Sequence, residues 1–296
     1  MICQRIPLER LGAVLIALIG LGATTVVVPA AAAGDDKPTK IDVGLQLYSL
    51  RAQFPKDLPG TLSRIEQWGV RDVEAAGFYN LSAQQFREEL DKHHLHASGA
   101  HFPWERFATD IEGVLRDAKT LGCEYVTVPW IPHQREFTAK DSLRAVEKFT
   151  EWGHRCSEAG LHFTYHPHGY EFRPHGGGSL FDLIAQGTKP EAVNFELDIF
   201  WAYDGGADPV QLMRKYPDRF PQMHLKDMKK TVKTPNYSGH ENVENDVTLG
   251  TGQLSLPAIL QEAAKVGVKH YYIEDESKGS ERQIPQSIQY LRSIGF

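Results

Sequence analysis

A regular alternation of apolar strand-like runs and amphipathic helical segments is the sequence feature that most constrains the fold. Eight short runs have strand patterns, and a segment with helical spacing of its apolar residues follows each of them. Several helical segments stop at a glycine, which is the usual residue after a helix end. The predicted strands cover residues 41–49, 70–75, 95–101, 124–130, 163–172, 193–199, 221–226 and 270–275.

Two α/β folds show this alternation, and the turn after the first strand separates them. A doubly wound open sheet usually has a glycine-rich phosphate turn there, whereas this chain has LYSLRAQFPKD. Gly176-Gly177-Gly178 lacks the lysine and the spacing of a phosphate loop, and we interpret it as a flexible loop. The pattern therefore predicts a (β/α)8 TIM barrel, in one domain over residues 34–296, with its chemistry at the C-terminal ends of the strands.

The first 33 residues differ in composition from the rest. Arg5 and Arg10 precede an apolar stretch at 11–28, and Ala31-Ala32-Ala33 follow it. This order is typical of a secretory signal peptide that is cleaved near Ala33. A retained membrane anchor is the alternative, since the apolar stretch approaches the length of a spanning helix. We expect a signal peptide over 1–33, a periplasmic or secreted protein, and no stable membrane association after cleavage.

Charge and cysteine content narrow the classes of partner. The chain of 296 residues has a net charge of −6 and no basic patch, so nothing predicts nucleic-acid binding. Cys123 lies at the start of a predicted strand and Cys156 in a predicted helix, and we interpret them as packing residues. An oxidising compartment would also allow them to pair. The sequence leaves the oligomeric state open, a homo-oligomer included.

Six predicted strands carry, near their C-terminal ends, a residue that can coordinate a metal or move a proton. One such residue alone is more often a hydrogen-bonded structural group, but a barrel brings all of them to one mouth. The six are Glu74, His101, His166, Asp198, His224 and Glu274. The four from the last four strands mix nitrogen and oxygen ligands, which suits Mn, Co, Zn, Fe or, less well, Mg. These predicted ligands are His166, Asp198, His224 and Glu274.

The fifth predicted strand, FTYHPHGYEF, contains two histidines that compete for the metal. Side chains two apart share a face while a strand lasts, so Thr164 and His166 point inward together. Pro167 and Gly169 indicate that the strand is ending, which would carry His168 past the mouth. We predict His166 as the ligand and His168 as a substrate contact, and the reverse assignment stays open.

The chain resembles the sugar phosphate isomerase/epimerase family, the xylose-isomerase-like barrels that include ketose 3-epimerases and inosose dehydratases. The matching motifs are VGLQLYSLR, SGAHF, YHPHGYEF, ELDIFWA, MHLKD and YIEDE, in this order along the chain. The resemblance implies a divalent metal held at the fifth to eighth strands by His166, Asp198, His224 and Glu274. Ketose epimerases of the family have a proton-transferring glutamate where His166 stands, so a two-glutamate epimerisation is in doubt here.

The resemblance also implies the chemistry. A divalent metal would stabilise the enediolate that forms when a keto-sugar loses the proton next to its carbonyl. Return of the proton describes an isomerase or epimerase; loss of a leaving group describes a lyase or hydratase acting on a 3-keto-glycoside or inosose-like substrate. A non-catalytic sugar-binding protein is the third alternative. The expected catalytic residues are Glu274, Glu171, His101 and Lys226, and the expected substrate contacts are Glu74, Trp130, His168 and Trp201.

Two of these expectations have structural alternatives. Lys226 could pair with Asp227 or Glu196 instead of binding substrate, and Glu74 could orient a neighbour. The polar insert at 228–252 could be a lid over the site or an exposed loop. No concentrated phosphate site is evident, so we expect a free sugar, a glycoside or an oxidised sugar as the small-molecule partner.

Overall fold

Eight parallel strands close into a barrel in a computed structural model, which describes residues 43–296. Each strand pairs with the next along the chain, and the last pairs with the first, so the predicted (β/α)8 barrel is confirmed. The signal-peptide prediction for residues 1–33 lies outside the described residues. The strands are β1 Gly44–Gln46, β2 Asp72–Ala75, β3 His96–His101, β4 Tyr125–Val128, β5 His162–Tyr165, β6 Asn194–Asp198, β7 Gln222–Leu225 and β8 His270–Ile273.

Residues 43–296 form ten α-helices around the barrel. Among residues 43–296, no helix is both long and apolar enough to cross a membrane. The helices are α1 Leu58–Gln67, α2 Ala83–Lys92, α3 Trp104–Thr109, α4 Ile111–Leu121, α5 Ala139–Glu158, α6 Leu180–Gly187, α7 Ile199–Asp204, α8 Pro209–Lys215, α9 Leu256–Val266 and α10 Ser280–Ser293.

Helix starts follow local capping chemistry. A capping box starts α2, because Ser82 and Gln85 each accept the other's backbone N–H. The helical spacing of apolar residues at 105–121 predicts one helix, but the structure has two: Asp110 ends α3 and begins α4. Its carboxylate accepts the backbone N–H of Gly113, so the chain gains a cap at the point where it breaks the helix. Sequence periodicity alone does not distinguish this junction from a continuous helix.

The fifth strand is shorter than predicted, and this shapes the mouth of the barrel. β5 ends at Tyr165, and the chain then turns through Gly169, whose φ of 94° favours glycine. A short 3-10 helix follows at Tyr170–Phe172. The strand therefore ends just before His166, which leaves both histidines on the connecting segment.

Polar side chains fill the barrel interior beneath its mouth. Thr127 and Thr164 are hydrogen-bonded at 2.7 Å, and Thr164 donates to Gln222 at 2.9 Å. The core around the barrel is apolar and includes Cys123 and Cys156, which are buried and do not pair with each other. The chain thus places hydrogen-bonded polar groups directly under the strand ends that carry the candidate ligands.

Candidate metal centre

The four residues predicted as metal ligands lie together at the C-terminal mouth of the barrel. We call them the mouth cluster: His166, Asp198, His224 and Glu274. Each offers one ligand atom, and these four atoms all lie within 4.8 Å of one another. All four residues are buried, so their charges and lone pairs are directed at each other rather than at water.

Distances within the mouth cluster fit a shared cation. Asp198 Oδ2 lies 3.4 Å from His166 Nε2 and 3.7 Å from His224 Nδ1, and Glu274 Oε2 lies 3.1 Å from His224 Nδ1. Ligand atoms about 2.1 Å from a tetrahedral cation lie about 3.4 Å apart. Two imidazoles and two carboxylates suit Mn, Co, Zn or Fe better than Mg, which prefers oxygen ligands.

Two ligand atoms of the mouth cluster lack a hydrogen bond within residues 43–296. They are His166 Nε2 and Asp198 Oδ2, both buried and facing each other. A buried polar atom without a partner costs free energy, and a bound cation would supply the missing contact to both. This pair is the strongest structural indication that the residues present can hold a metal.

A second group, three of whose four members are buried, lies next to the mouth cluster and shares one member with it. This inner cluster consists of Glu74, His101, Glu196 and His224. Glu74 Oε2 accepts from Gln46 at 2.6 Å and lies 2.7 Å from His224 Nε2. Glu196 Oε2 lies 2.7 Å from His101 Nε2, whereas its second oxygen has no hydrogen bond among the described residues. Most of the inner cluster is therefore satisfied by its own members.

His224 is oriented by the contacts on its two ring nitrogens. Nε2 lies 2.7 Å from the Glu74 carboxylate, and Nδ1 faces Asp198 and Glu274. Burial opposes the charge of the ring, but Glu196, Glu274 and Asp198 hold the pKa of His224 well above its ordinary value. A cation bound at Nδ1 would take the place of the proton on that nitrogen and leave the other proton on Nε2, toward Glu74. Carboxylates that accept the second nitrogen of a histidine ligand set its tautomer and orientation. Glu74 thus has a supporting position at His224, and it does not line the cavity.

Nearby positive charges affect the pKa of Glu274, which follows β8, more than its burial does. Burial opposes ionisation of Glu274, but Lys226 and His224 lower the pKa of Glu274 to about 2. Burial likewise opposes the charge of Lys226, but Asp246, Glu274 and Glu276 hold the Lys226 pKa well above its ordinary range. Glu274 is consequently a carboxylate at neutral pH, as a ligand or a base requires.

Asp198 has a second, local function. Its Oδ1 accepts the backbone N–H of Trp201 at 2.9 Å and caps α7, a short helix that the sequence patterns did not predict. The cap fixes one carboxylate oxygen and leaves Oδ2 directed at the mouth cluster. Trp201 is thereby placed at the mouth of the barrel.

A cavity of about 620 Å³ opens above the mouth cluster. The structure brings most of the predicted site residues to its lining: His101, His166, Glu274, Lys226, Trp130, His168 and Trp201. The insert at 228–252 also contributes, through Gly239 to Val243 and Asp246. The insert therefore lies over the mouth, the position that a lid requires.

The structure does not bring Glu171 to this cavity. Its carboxylate accepts the hydroxyl of Tyr165 and the backbone N–H of His168, at 3.1 Å for one oxygen. It is fully buried, and burial raises the pKa of Glu171 to about 7. The side chain has a supporting position behind His168, and its expected catalytic role has no structural basis in this arrangement.

Lys226 has ion-pair partners other than Asp227 and Glu196, the two structural alternatives to substrate binding. Its ammonium lies 2.6 Å from Glu276, 3.6 Å from Asp246 and 3.7 Å from Glu274, not against Asp227 or Glu196. Asp246 lies in a two-residue strand of the insert and Glu276 in the loop after β8, and the pattern of the eight barrel strands marks neither of them. Asp227 instead accepts backbone N–H groups from Met228, Gly250, Gly252 and Leu254 and holds the base of the insert.

His166 and His168 have different surroundings, and these separate their roles. His166 Nε2 faces Asp198, whereas His168 Nδ1 lies 3.3 Å from both Nδ1 and the carbonyl of His166. Burial and the neighbouring His166 hold the pKa of His168 well below its ordinary value. The geometry therefore favours His166 as the ligand, with a neutral His168 beside it on the cavity wall.

Aromatic side chains on the wall are not equally accessible. Trp130 stacks on His133 and on His240, each with ring centroids 5.3 Å away. Trp201 packs against Phe200 and His168. A sugar could stack on Trp130 only where His240 moves aside.

Several polar residues of the site do not belong to the strand-end pattern in the sequence. Glu196 lies two residues before Asp198 and shares its inward face by strand alternation, but it is not at the strand end. Gln46 pairs with Glu74 across the first two strands. Asp246 lies in a two-residue strand of the insert, paired with Met228, and Glu276 lies in the loop after β8, where no periodic pattern marks them.

The chain matches a known protein family and is similar to a curated protein. A family model described as "Xylose isomerase-like TIM barrel" matches residues 62–294. An inosose dehydratase of Geobacillus kaustophilus is 24% identical over 212 residues, which are 64% of this chain and 60% of that protein. The chain thus spans about three fifths of the length of this curated relative.

Solved structures share the fold over most of the chain. A sugar phosphate isomerase/epimerase from Parabacteroides distasonis has a TM-score of 0.71 and 26% identity, covering 90% of this chain and 98% of that one. The IolI protein, solved with a zinc atom, has a TM-score of 0.67 and 15% identity, covering 86% and 98%. The second likeness concerns the fold alone.

Proposed function

The chain belongs to the xylose isomerase-like TIM barrel family, and we propose that it is a metal-dependent enzyme that removes the proton next to the carbonyl of a keto-sugar. The observation that carries the proposal is the facing pair of unpartnered atoms, His166 Nε2 and Asp198 Oδ2, beside Glu274 on a sugar-sized or larger cavity. His166, Asp198, His224 and Glu274 would hold the cation. It would supply Lewis-acid stabilisation of the charge that develops on the carbonyl oxygen.

Glu274 is the proposed base. Among the carboxylates of the mouth cluster it is the one on the cavity lining, and Lys226, 3.7 Å away, keeps it ionised. A carboxylate at the edge of the ligand set is placed to take a proton from the carbon next to the carbonyl.

His101 is the proposed acid. Burial opposes its charge, but Glu74 and Glu196 raise the pKa of His101 to about 10. It is therefore a protonated donor at neutral pH, and it lines the same cavity as Glu274. A protonated imidazole facing the substrate can give its proton to a departing hydroxyl or return it to carbon.

Elimination of a hydroxyl is the outcome that we favour. The mouth cluster has a histidine where epimerase relatives have a second proton-transferring glutamate, and the acid-base groups left are one carboxylate and imidazoles. The inosose dehydratase relative is named for the same type of reaction. Isomerisation or epimerisation is the second candidate, because His101 on a separate strand could return the proton to another face.

Incubation of metal-loaded protein with a panel of 3-keto-glucosides and inososes in deuterated buffer tests the proposal. We expect an unsaturated product, with deuterium in recovered substrate if proton removal is reversible, and neither signal after metal is removed by a chelator. Deuterium without an unsaturated product would favour isomerisation or epimerisation. Absence of both signals for every substrate tried would refute the proposed chemistry.

A further inference from the structure

The cavity extends from the mouth cluster outward to a rim formed after β1 and β8. Tyr48 and Arg51 contribute to this rim from the turn that follows β1, and Glu276 contributes from the loop that follows β8. The volume of about 620 Å³ lies within the range of about 300–1,000 Å³ typical of pockets that enclose drug-sized ligands. A single sugar ring at the mouth cluster would leave the rim part of this space unused.

Tyr48 is the accessible aromatic side chain of the rim. It is 43% exposed, and within residues 43–296 no other large aromatic residue reaches that exposure. The Arg51 guanidinium lies over its ring, 4.3 Å from the centroid, and so holds the ring in place from one face. Trp130, by contrast, is stacked against His133 and His240. Tyr48 thus offers the open aromatic surface on which a second ring can stack.

The permanent cations on the cavity lining are already paired. Lys226 Nζ lies 2.6 Å from Glu276 Oε1, and Arg51 Nη2 lies 3.3 Å from Glu276 Oε2. Arg51 also donates to the carbonyls of Tyr48 and Glu276. A phosphate or carboxylate on a ligand would have to break these pairs to gain a cation of its own.

Carboxylates outnumber these two cations around the same space. Glu241, Asp246, Glu274 and Glu276 all lie on the cavity lining. Hydroxyl groups of a sugar can donate hydrogen bonds to these carboxylates. An anionic group at the rim would meet Glu276 and two cations that this carboxylate already occupies, so the pairing at the rim disfavours a phosphorylated or acidic second ring.

We infer that the site takes an uncharged glycoside of two rings, with the keto-sugar ring at the mouth cluster and the second ring on Tyr48. This inference rests on the proposed function for the position of the first ring. It adds an outer subsite formed by Tyr48 and Arg51, and a specificity residue, Glu276, that occupies the two cations and so excludes anionic substrates.

Tyr48→Ala tests the outer subsite, with Tyr48→Phe as its matched control. The measurement is kcat/KM for 3-keto-cellobiose divided by kcat/KM for 3-keto-glucose. We expect this ratio to fall about tenfold in Tyr48→Ala, mainly through KM of the two-ring substrate, and to be restored by the phenylalanine. An unchanged ratio in Tyr48→Ala would overturn the subsite.

Calorimetric binding of cellobiose and glucose reads the same subsite without catalysis. Wild-type protein is expected to bind cellobiose more tightly, and Tyr48→Ala to lose that preference. Failure of deuterium exchange together with this preference would refute the proposed chemistry and leave the outer subsite supported. Equal binding of the two sugars by the wild type would overturn the subsite whatever the chemistry.

Glu276→Gln tests the exclusion of anions. Glucose 6-phosphate is expected not to compete with cellobiose for the wild-type protein and to compete measurably with it for Glu276→Gln, because the substitution frees Lys226 and Arg51 from their shared carboxylate. Competition by glucose 6-phosphate that is equally strong in both proteins would overturn the charge argument.

Discussion

The mouth cluster and the inner cluster share His224, yet their hydrogen bonding differs. In the inner cluster, Glu74 and Glu196 lie 2.7 Å from imidazole nitrogens that can donate to them. In the mouth cluster, His166 Nε2 and Asp198 Oδ2 face each other at 3.4 Å with no hydrogen bond among the described residues. One atom of the inner cluster, Glu196 Oε1, also lacks a hydrogen bond among residues 43–296. The inner cluster is therefore mostly satisfied by its own members, whereas the mouth cluster has two facing atoms that a bound cation would satisfy.

The same contrast separates the two sides of the His224 ring. One nitrogen is held by a buried carboxylate, and the other is presented to two carboxylates at the edge of a cavity. The Glu74 carboxylate therefore orients the His224 ring so that Nδ1 faces the mouth cluster, which is how outer carboxylates act at histidine metal sites. Substitutions in the two clusters should consequently have effects of different kind and size.

Asp198→Asn should have the largest effect. The asparagine oxygen can still cap α7 through the N–H of Trp201, but the ligand charge is lost. We expect loss of bound metal and a fall in kcat/KM of about 1,000-fold, since a metal supplies several kcal/mol of charge stabilisation. Metal analysis and kinetics check this. Asp208→Asn, at the cap of α8, is the matched control, and equal metal content in both variants would contradict the assignment.

His101→Gln should lower the rate without removing the metal. Glutamine can keep a hydrogen bond to Glu196 but cannot donate a proton to substrate. We expect kcat to fall about 100-fold, at the lower end of what general acid catalysis contributes, with metal content unchanged. Parallel measurement of kcat and bound metal decides the point. Loss of metal in this variant would mean that His101 belongs with the ligands and not with the acid-base groups.

Glu74→Gln and Glu196→Gln form a matched pair within the inner cluster. Both carboxylates are fully buried, but Glu74 lies 2.7 Å from His224 Nε2 and Glu196 lies 3.2 Å from it without a hydrogen bond. We expect Glu74→Gln to weaken metal affinity about 10-fold to 100-fold, and Glu196→Gln to weaken it less. Titration with a competing chelator measures both. The reverse order would show that Glu196 is the residue that orients His224.

Glu171→Gln tests the effect of burial on a carboxyl group that belongs to neither cluster. Burial raises the pKa of Glu171 to about 7 in the folded state, from an ordinary 4.5. The folded protein then binds the proton more tightly, so this stabilising term is fully present below pH 4.5 and is lost as pH rises through 7.

The free energy of unfolding of the wild type, relative to Glu171→Gln, should fall by about 3 kcal/mol across that window. Denaturant titrations of both proteins at several pH values measure the difference. A difference that stays constant from pH 4 to pH 8 would contradict the burial argument for this residue.

Much of the fold and of the mouth cluster was predictable because both depend on strand periodicity. Parallel strands bring their C-terminal ends to one mouth, so a pattern at the strand ends was enough to group His166, Asp198, His224 and Glu274. Glu196 shares the inward face of Asp198 by strand alternation, but the strand-end pattern does not include it, because it lies two residues before the end of the strand. The periodicity of the barrel strands does not determine the positions of Tyr48, in a 3-10 helix after β1, of Asp246, in a two-residue strand of the insert, or of Glu276, in the loop after β8.

The break between α3 and α4 shows the same limit on a local scale. Asp110 interrupts a continuous helical pattern by capping the following helix, a competition between side chain and backbone that spacing cannot reveal. Residues that act through particular hydrogen bonds therefore required the structure, whereas residues at regular positions did not.

Metal stoichiometry is the measurement that tests the difference between the clusters most directly. Protein loaded with Mn or Zn, dialysed and analysed for metal, should contain one ion per chain, and Asp198→Asn should contain none under the same conditions. Glu196→Gln should retain the ion. A wild-type protein without a bound ion, or one whose ion survives loss of Asp198 but not of Glu196, would contradict the assignment of the mouth cluster as the metal site.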